Sequence, residues 1–379
     1  MKGHSMRIVL IGPVYPYKGG ISHYTSLLCR ALRQKHEVIM VSYKMQYPKF
    51  LFKKEQKDYS NKSFQVDDTK YWIHTANPIN LFLAARRIRK LRPDAVILQW
   101  WHPYFAPCYR ILAMLLGKIP LLITCHNVFP HERFPLDRFL TRMVLKRADG
   151  YIVQSHLDEK DLLTVKPDAN YVVTPHPTYN AFKMKNMSRA EARELLAVGH
   201  DSPMLLFFGF VREYKGLKYL LDALPEVKKR IPDISLWVVG DFGDDKDVYL
   251  EQIEKNRIGD NIRLVEGYVP DQEVEKYFAA ADLVVLPYVS ATQSGIVQIA
   301  YGFDKPVVVT DVGGLPDVVR HKETGYVVPS GNAQEIAKAV ISFYQEDRET
   351  DWESNIRKQA AEFSWETMVE RMEKCFFNI

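Results

Sequence analysis

The stretches that decide the fold are RIVLIG at residues 7–12, ISHYTSLLCRALRQ at 21–34 and HEVIMV at 36–41. The first and third are short apolar runs typical of buried parallel strands. The second carries apolar residues at the spacing of an amphipathic helix, and Gly19 and Gly20 precede it. Strand, glycine loop, helix and strand make a βαβ unit, so the pattern predicts an α/β fold.

The alternation of strands and helices continues along the chain and then restarts. The first series adds a helix and four strands, predicted at 80–91, 93–99, 121–124, 151–153 and 171–173. The second series has five strands separated by helices, with the strands at 204–208, 235–239, 262–265, 283–286 and 306–310. Two such series predict two Rossmann-like, doubly wound parallel sheets. We expect one domain over residues 6–180, a second over 181–361, and a terminal helix near 362–379 that crosses back to the first domain.

The composition excludes several function classes. Of 379 residues, 47% are hydrophobic and 26% charged, and the net charge is only +5. This charge is too small to indicate nucleic-acid binding, but it suits an anionic small ligand or loose contact with an anionic membrane surface. The four cysteines have no CxxC spacing and are predicted to be reduced packing residues.

No apolar run reaches the ~18 to 20 residues of a membrane span. The longest, at 109–124, is interrupted by Arg110, Lys118 and Pro120. There is no recognisable signal peptide, because a predicted strand starts directly at residue 7. We expect a cytoplasmic protein, with peripheral contact at the inner face of the membrane as an option.

The segment from Ser42 to Lys62 mixes aromatic residues with lysines, among them Tyr43, Tyr47 and Lys53. One interpretation is a mobile, solvated loop. The other is a loop that binds an acceptor or touches a membrane, because interleaved aromatic and basic residues suit an anionic lipid interface. The sequence leaves both open.

Ligands of open α/β sheets bind at the carboxyl ends of the strands. After the predicted strand at 204–208, Arg212 and Lys215 lie beside Gly216 at the start of a helix. Two cations at a helix N-terminus oppose the helix dipole, a cost that an anion bound there would offset. A diphosphate suits both the forked guanidinium and the lysine. The alternative is a solvated basic turn.

Two more helix starts follow strands in the same way. After the strand at 283–286, Ser294 can cap a helix whose first amides, at Gly295 and Ile296, can bind a phosphate. Gly19 and Gly20 allow close approach of a ligand to the backbone, although the loop is not GxGxxG. A plain capped helix and a tight turn are the respective alternatives.

A fourth candidate is the loop Thr124–Glu132, in which His126 follows a predicted strand. A histidine there can donate a hydrogen bond to a sugar hydroxyl or to its phosphate. His126, His131 and Glu132 could in principle bind a metal, but no second cluster completes a ligand set. We therefore expect no metal site.

These motifs together resemble the retaining glycosyltransferases of family 4 over nearly the whole chain. The most specific stretch is 282–310 with Gly313–Val319. By this resemblance, Gly19-Gly20 corresponds to the family's glycine loop and His126 to its active-site histidine. Arg212 and Lys215 correspond to the basic pair that binds the donor diphosphate.

Two further stretches resemble the family. Gly267–Pro270 looks like the loop beside the nucleotide base, and Phe363–Trp365 like the start of the terminal crossing helix. The resemblance implies the GT-B fold, in which an N-terminal acceptor-binding domain and a C-terminal sugar-nucleotide-binding domain face each other across a cleft. It also implies a hexosyltransferase of polysaccharide biosynthesis that acts on a glycan or lipid-linked oligosaccharide.

The implied catalytic residues are His126, Arg212 and Lys215. The implied donor-binding residues are Gly19, Gly20, Tyr268, Val269, Thr292, Gln293, Ser294, Gly295, Ile296 and Gln298. Acceptor contacts are expected from Tyr47, His102, His131 and Glu132.

The chain departs from the family pattern in two places. The two glutamates that the family usually carries eight positions apart are replaced by Ala291 and Ile299, so sugar orientation must be arranged differently. The arginine that often follows the family's glycine is replaced by Phe210, and Arg212 is expected to supply that charge.

The resemblance also implies a reaction course. The chain has no obvious enzymic nucleophile or close carboxylate pair, unlike retaining glycosidases. We expect the acceptor hydroxyl to attack from the face that the diphosphate leaves, with no metal and no cofactor. Two alternatives remain: a sugar-nucleotide epimerase of similar fold, against which the His126 loop speaks, and a non-catalytic sugar-nucleotide-binding protein, which the missing glutamates favour.

Overall fold

The computed structural model describes residues 5–51, 55–60, 62–130, 135–243 and 246–377. The chain divides into two compact units. Unit 1 comprises residues 1–175 and 365–379, and unit 2 comprises residues 176–364. The boundaries expected from the sequence lie nearby, after residue 180 and near residue 362.

Unit 1 is built on a parallel sheet with seven strands among the described residues. These are β1 (Arg7–Ile11), β2 (Glu37–Met45), β3 (Lys70–His74), β4 (Ala95–Trp100), β5 (Leu121–Cys125), β6 (Gly150–Val153) and β7 (Tyr171–Val173). Their order is β3-β2-β1-β4-β5-β6-β7. The order reverses at β1 and β4, the point where doubly wound sheets bind ligands.

Helices cover both faces of this sheet. They are α1 (Gly20–Leu32), α2 (Pro78–Lys90), α3 (Ala106–Leu116), α4 (Asp137–Leu145) and α5 (His156–Val165). Right-handed crossovers place α1 on one face and the other four on the opposite face. There, α3 packs between α2 and α4.

Unit 2 repeats the design with six described strands. These are β8 (Met204–Phe208), β9 (Ser235–Gly240), β10 (Ile262–Glu266), β11 (Leu283–Leu286), β12 (Val307–Thr310) and β13 (Gly325–Val328). Their order is β10-β9-β8-β11-β12-β13, with the switch point at β8 and β11. The helices are α6 (Arg189–Leu195), α7 (Leu217–Arg230), α8 (Lys246–Lys255), α9 (Asp271–Ala280), α10 (Gly295–Gly302), α11 (Leu315–Val318), α12 (Ala333–Gln345) and α13 (Trp352–Glu362).

The chain then returns to unit 1 as α14 (Trp365–Met372), which packs on α1. The Tyr24 hydroxyl of α1 lies 3.3 Å from the sulfur of Met368, and both side chains are buried. In the π-helical turn that follows, Glu373 pairs with Lys35 at 2.9 Å. These contacts make the last helix part of the core of unit 1.

Local sequence explains where many of the helices begin. The Asn77 side chain accepts the Asn80 amide at 3.0 Å, and Pro78 supplies the first residue of α2. Ser188 and Glu191 form a reciprocal capping box at α6. The strands read as near-continuous apolar runs because both faces of each sheet are covered.

The prediction of a loop from residue 42 onward is wrong at its start. β2 continues to Met45, so Tyr43 is fully buried, and its hydroxyl bonds that of Tyr109. Phe50 and Tyr59 are exposed further along the segment. Lys53, which was named as part of this basic and aromatic segment, lies outside the described residues.

The four cysteines are free thiols in the structure. Cys29, Cys108 and Cys125 are buried, Cys375 is half-buried, and none forms a disulfide. Burial raises the pKa of the Cys29 thiol to about 11 and that of Cys108 to about 12. Within the described ranges, no helix combines the length and the apolar character needed to cross a membrane.

Candidate functional site

In unit 2, the loops after β8 and β11 are fastened together at the switch point. Val289 donates its amide to the Tyr214 carbonyl at 2.7 Å. Gly216 has a left-handed φ of 67°, and a Cβ at this position would overlap the Pro287 carbonyl oxygen. Only glycine meets both conditions without strain, so Gly216 brings the start of α7 against the end of β11.

This junction places Lys215 against Tyr288. The Lys215 ammonium lies 3.8 Å from the centroid of the buried Tyr288 ring. The hydroxyl of the same ring lies 3.4 Å from the Ser294 hydroxyl oxygen, at the N-terminus of α10. The cation and the helix end, which the sequence predicted as separate parts of one grip, are therefore joined through one aromatic ring.

Arg212 lies in the same loop and is half-buried. Its guanidinium donates to the Val211 carbonyl at 3.0 Å and lies 5.7 Å from the Phe210 ring centroid. Neither Arg212 nor Lys215 forms an ion pair with a carboxylate of the described residues, from which Asp244 and Asp245 are missing. Among the described residues, no carboxylate thus compensates the charge of these two side chains.

The N-terminus of α10 has the form expected of an anion site. Ser294 occupies the N-cap position, as predicted, but its side chain makes no capping bond to the helix. The amides at Gly295 and Ile296 belong to the first turn, where helix amides lack intrahelical acceptors and attract negative charge. Both residues are half-buried, as is Gln293, whereas Thr292 and Ser294 are buried.

The other side of α10 packs on the first residues of unit 2. Gln298 is fully buried, and its side-chain oxygen accepts the Thr178 hydroxyl at 3.4 Å. The Tyr179 hydroxyl lies 3.1 Å from Nε2 of His176. Burial lowers the pKa of His176 to about 4, so this imidazole is neutral. Gln298 is therefore buried against the first residues of unit 2, and its contact with a donor stays a prediction.

The two positions of the missing glutamates are both buried, with 6% of Ala291 and 6% of Ile299 exposed. Nearby, Gly313 adopts a φ of 54°, and a Cβ there would overlap the Ala291 carbonyl oxygen. Gly314 donates its amide to the Thr292 carbonyl at 2.8 Å. The Gly313-Gly314 motif thus holds the loop that leads into α10.

The predicted base loop follows β10, at the edge of the same sheet. Gly267 has a φ of 110° and donates its amide to the Gly240 carbonyl at 3.0 Å. Tyr268 is 39% exposed and Val269 is half-buried. The loop is therefore accessible, and its contact with a base stays a prediction.

In unit 1, His126 directly follows β5, as predicted. Its Nε2 lies 2.8 Å from the side-chain oxygen of Gln99, on β4. The Gln99 amide nitrogen donates to the Thr124 hydroxyl at 3.3 Å, and both residues are fully buried. Because the Gln99 oxygen faces the ring, neutral His126 carries its proton on Nε2.

Two neighbours fix this arrangement. A Cβ at Gly12 would lie 2.6 Å from Cγ of Gln99. The residue directly after β1 must therefore be glycine, because any side chain there would collide with Gln99. The ring of Tyr24 makes an edge contact with His126 at a centroid distance of 4.7 Å and another with Trp365 at 5.1 Å. The returning segment of the chain therefore supports the residue that packs on the histidine.

Gly19 and Gly20 mark the start of α1. Gly19 is the N-cap residue with a φ of 105°, and no atom lies within 4 Å of a Cβ built on either glycine. Gly19 provides no side chain to cap the helix. The predicted close approach of a ligand is thus sterically feasible here, at the carboxyl end of β1.

Two of the residues expected to contact an acceptor, Tyr47 and His102, have structural roles of their own. Tyr47 packs on Phe105 and accepts the Trp101 indole N–H at 3.1 Å. Nδ1 of His102 accepts the Tyr104 amide at 3.1 Å and so caps a 3₁₀ turn. His131 and Glu132 lie outside the described residues. The part of the chain that is described holds no group of three or more histidine, cysteine or acidic side chains suited to a metal.

The sequence missed Gln99 and Tyr288. Each follows or ends a predicted strand, which is the available signal, but their partners are 27 and 73 positions away. No local pattern connects residues at such separations.

Two family models match most of the chain. Residues 18–179 match the model described as Glycosyltransferase Family 4, and residues 202–346 match Glycosyl transferases group 1. The D-inositol 3-phosphate glycosyltransferase of Corynebacterium diphtheriae is 26% identical over 282 residues, which are 69% of this chain and 66% of that protein. The alignment thus spans slightly less than two thirds of that relative.

Solved structures are similar over nearly the full length. The sucrose-phosphate synthase of Thermosynechococcus elongatus superposes with a TM-score of 0.74 at 20% identity, over 98% of both chains. Anabaena HepE in complex with UDP and glucose superposes with a TM-score of 0.76 at 17% identity, over 99% of this chain and 100% of that one. These similarities confirm the GT-B fold.

Proposed function

The chain belongs to glycosyltransferase family 4, and from this premise we propose that it transfers a hexose from a nucleoside-diphosphate sugar to a glycan or a lipid-linked oligosaccharide. The transfer retains the anomeric configuration and needs no metal or other cofactor. The observation that carries the proposal is the group formed by Lys215, Tyr288 and Ser294 at the switch point of unit 2.

This group suits a diphosphate for electrostatic reasons. An ammonium held on an aromatic face keeps its charge and its donors, whereas an ammonium paired with a carboxylate would be neutralised. Ser294 does not occupy the first-turn amides of α10. Lys215, Arg212 and the Gly295 and Ile296 amides can therefore all bind phosphate oxygens.

The same donors would act on the reaction itself. Negative charge develops on the diphosphate as the sugar–phosphate bond breaks, and fixed donors that stabilise this charge lower the barrier. The acceptor hydroxyl attacks from the face that the diphosphate leaves. A diphosphate oxygen accepts its proton, so the chain need not supply an enzymic nucleophile.

His126 has a supporting role in this proposal. Its Nε2–H is fixed by Gln99, and the ring orientation is held by Tyr24. With its proton on Nε2, the neutral ring can accept a hydrogen bond from a sugar hydroxyl only at Nδ1, which favours one donor orientation.

Uridine diphosphate is the first donor nucleotide to test, because Anabaena HepE was solved with UDP and with UDP-glucose. We place the activity in the cytoplasm, with peripheral contact at the inner face of the membrane, where a lipid-linked acceptor would be located. A non-catalytic sugar-nucleotide-binding protein is the second candidate, favoured by the missing acids at Ala291 and Ile299.

Donor hydrolysis and donor binding test the proposal. A panel of nucleoside-diphosphate sugars should contain one that releases free nucleoside diphosphate, slowly alone and faster with acceptor. The double variant Arg212→Ala, Lys215→Ala should raise the Kd of that donor tenfold or more, given the ~1.5–3 kcal/mol of a charged hydrogen bond.

Lys218→Ala is the matched control, since Lys218 lies on the next turn and pairs with Glu213 at 3.7 Å. Its donor affinity should be unchanged. Equal affinity of the double variant and the control would refute the phosphate assignment. Tight binding without turnover for every donor and acceptor pair would favour the non-catalytic candidate.

A further inference from the structure

One face of unit 1 exposes large apolar side chains. It is formed by α2, α3 and α4, which lie side by side on the sheet. Large apolar residues at the surface of all three helices are Ile79, Phe82 and Leu83 on α2, Met114 on α3, and Leu136 and Phe139 at α4. Ile79 is 75% exposed and Leu136 is 70% exposed. We call this surface the α2–α4 face.

The α2–α4 face is also strongly basic. Its three segments, residues 78–92, 106–118 and 135–147, hold eleven lysines and arginines and one acidic residue. The acid, Asp137, is buried. The rest of the chain holds 40 basic and 45 acidic residues. The modest net charge of +5 therefore conceals a marked separation of charge.

The cations of this face have no acidic partner among the described residues. None of the eleven forms an ion pair with a described residue, while basic residues of unit 2 such as Arg189 and Arg357 pair with Asp282 and Asp304. Unpaired cations at this density repel one another. An anionic partner would remove that repulsion.

The arrangement along α2 shows how the two properties combine. Leu81, Ala84, Ala85 and Ile88 face the core and are buried. On the outer side, Ile79, Phe82 and Leu83 occupy the first turns, and Arg86 and Lys90 the later ones. α4 has the same composition, with exposed Phe139 next to Arg138 and Arg142. Each helix thus has a second, outward apolar and basic stripe.

We propose that the α2–α4 face docks unit 1 on an anionic lipid bilayer. Apolar side chains enter the headgroup boundary while the surrounding cations bind anionic headgroups, as in interfacial helices. The cores of protein interfaces are depleted of charged residues in general, whereas here the apolar turn with Ile79, Phe82 and Leu83 is followed directly by Arg86 and Lys90. The observations therefore favour a lipid surface over an acidic protein. The proposal does not depend on the donor chemistry.

Vesicle co-sedimentation of the full chain tests this. It should bind vesicles that contain phosphatidylglycerol and not vesicles of phosphatidylcholine alone. Phe82→Ser with Phe139→Ser, and Arg86→Glu with Arg142→Glu, should each weaken binding by about tenfold or more. Salt at about 1 M, where the Debye length is about 3 Å, should weaken the unchanged protein as well.

The control is Lys229→Glu with Lys255→Glu, which makes the same charge change on α7 and α8 of unit 2 and should bind like the unchanged protein. Donor affinity and thermal stability should be equal in all variants, because every substituted side chain is exposed and none belongs to the residues assigned to donor binding. No binding to anionic vesicles would overturn the proposal. Weaker vesicle binding in the Arg86→Glu, Arg142→Glu variant with unchanged binding in the Phe82→Ser, Phe139→Ser variant would also overturn it, because that result indicates general polyanion binding.

Discussion

The ammonium of Lys215 lies over the ring of Tyr288, 3.8 Å from its centroid. The ring holds the cation without neutralising it and is itself fixed at Ser294 by its hydroxyl. Lys215 is therefore positioned near the N-terminus of α10 before any ligand binds, which reduces the conformational entropy that is lost on binding.

Two substitutions of Tyr288 distinguish the contribution of its ring to donor binding from that of its hydroxyl. Tyr288→Leu removes both and should raise the Kd of the nucleoside diphosphate about twofold to thirtyfold, the equivalent of about 0.5–2 kcal/mol for a cation–π contact. Tyr288→Phe keeps the ring and should bind much as the unchanged protein does. Isothermal titration calorimetry measures both. Equal losses in the two variants would show that the hydroxyl, and not the ring, matters.

Gly216→Ala should destabilise unit 2 and weaken the same site. Alanine at a φ of 67° costs about 1–2 kcal/mol, and the overlap with the Pro287 carbonyl adds to this. The shift moves Lys215 away from Tyr288. Gly259→Ala is the control, since no atom lies within 4 Å of its Cβ position and its φ is not left-handed. A thermal midpoint of Gly216→Ala equal to that of the control would contradict the packing described.

Gln99→Glu should move the acidic limb of the kcat/KM profile to higher pH by about one unit or more, because a carboxylate at 2.8 Å stabilises imidazolium over neutral imidazole. Gln99→Leu removes the acceptor and should lower kcat without that shift. A structural role alone would leave the profile in place. The pH profile of donor hydrolysis or transfer is the measurement.

Stability should fall in acid because of His176. Its pKa is lowered from 6.5 to about 4 in the folded protein, so the unfolded chain binds the proton more readily. The stabilisation is fully present above pH 6.5 and is lost as pH falls toward 4, on the order of 3 kcal/mol in all. His176→Gln should reduce the slope of unfolding free energy between these limits, measured by urea titration. An unchanged slope would assign the acid sensitivity to other groups.

Much of the fold could be predicted because parallel strands leave a strong local pattern. The runs at β1, β8 and β11 are apolar and end at glycine or proline, so their positions follow from the residues alone. The helices α3 and α4 were not predicted. The apolar run near residue 109 contains both the end of α3 and β5, separated only by Gly117–Pro120, and its hydrophobicity does not distinguish the two.

The candidate site was predictable only in part. Lys215 and Ser294 stand beside glycines at strand ends, where position implies function. Gln298 was predicted to bind the donor as a polar substitute for the missing glutamates, but the sequence did not show that α10 packs on Thr178 and buries this side chain. Tyr43 was placed in a segment that mixes aromatic residues with lysines, whereas pairing with β3 extends β2 through it.

The return of α14 to unit 1 has a consequence for how the protein is made. Unit 2 is one uninterrupted stretch of the gene, but unit 1 is encoded in two pieces on either side of it. During translation, all of unit 2 is synthesised before Trp365 and Met368 can pack on Tyr24. Unit 1, although its first residues are made first, is therefore the last to be completed. Unit 2 can be expressed alone from one continuous gene fragment for residues 176–364. A fragment for unit 1 must join residue 175 to residue 365 through a linker.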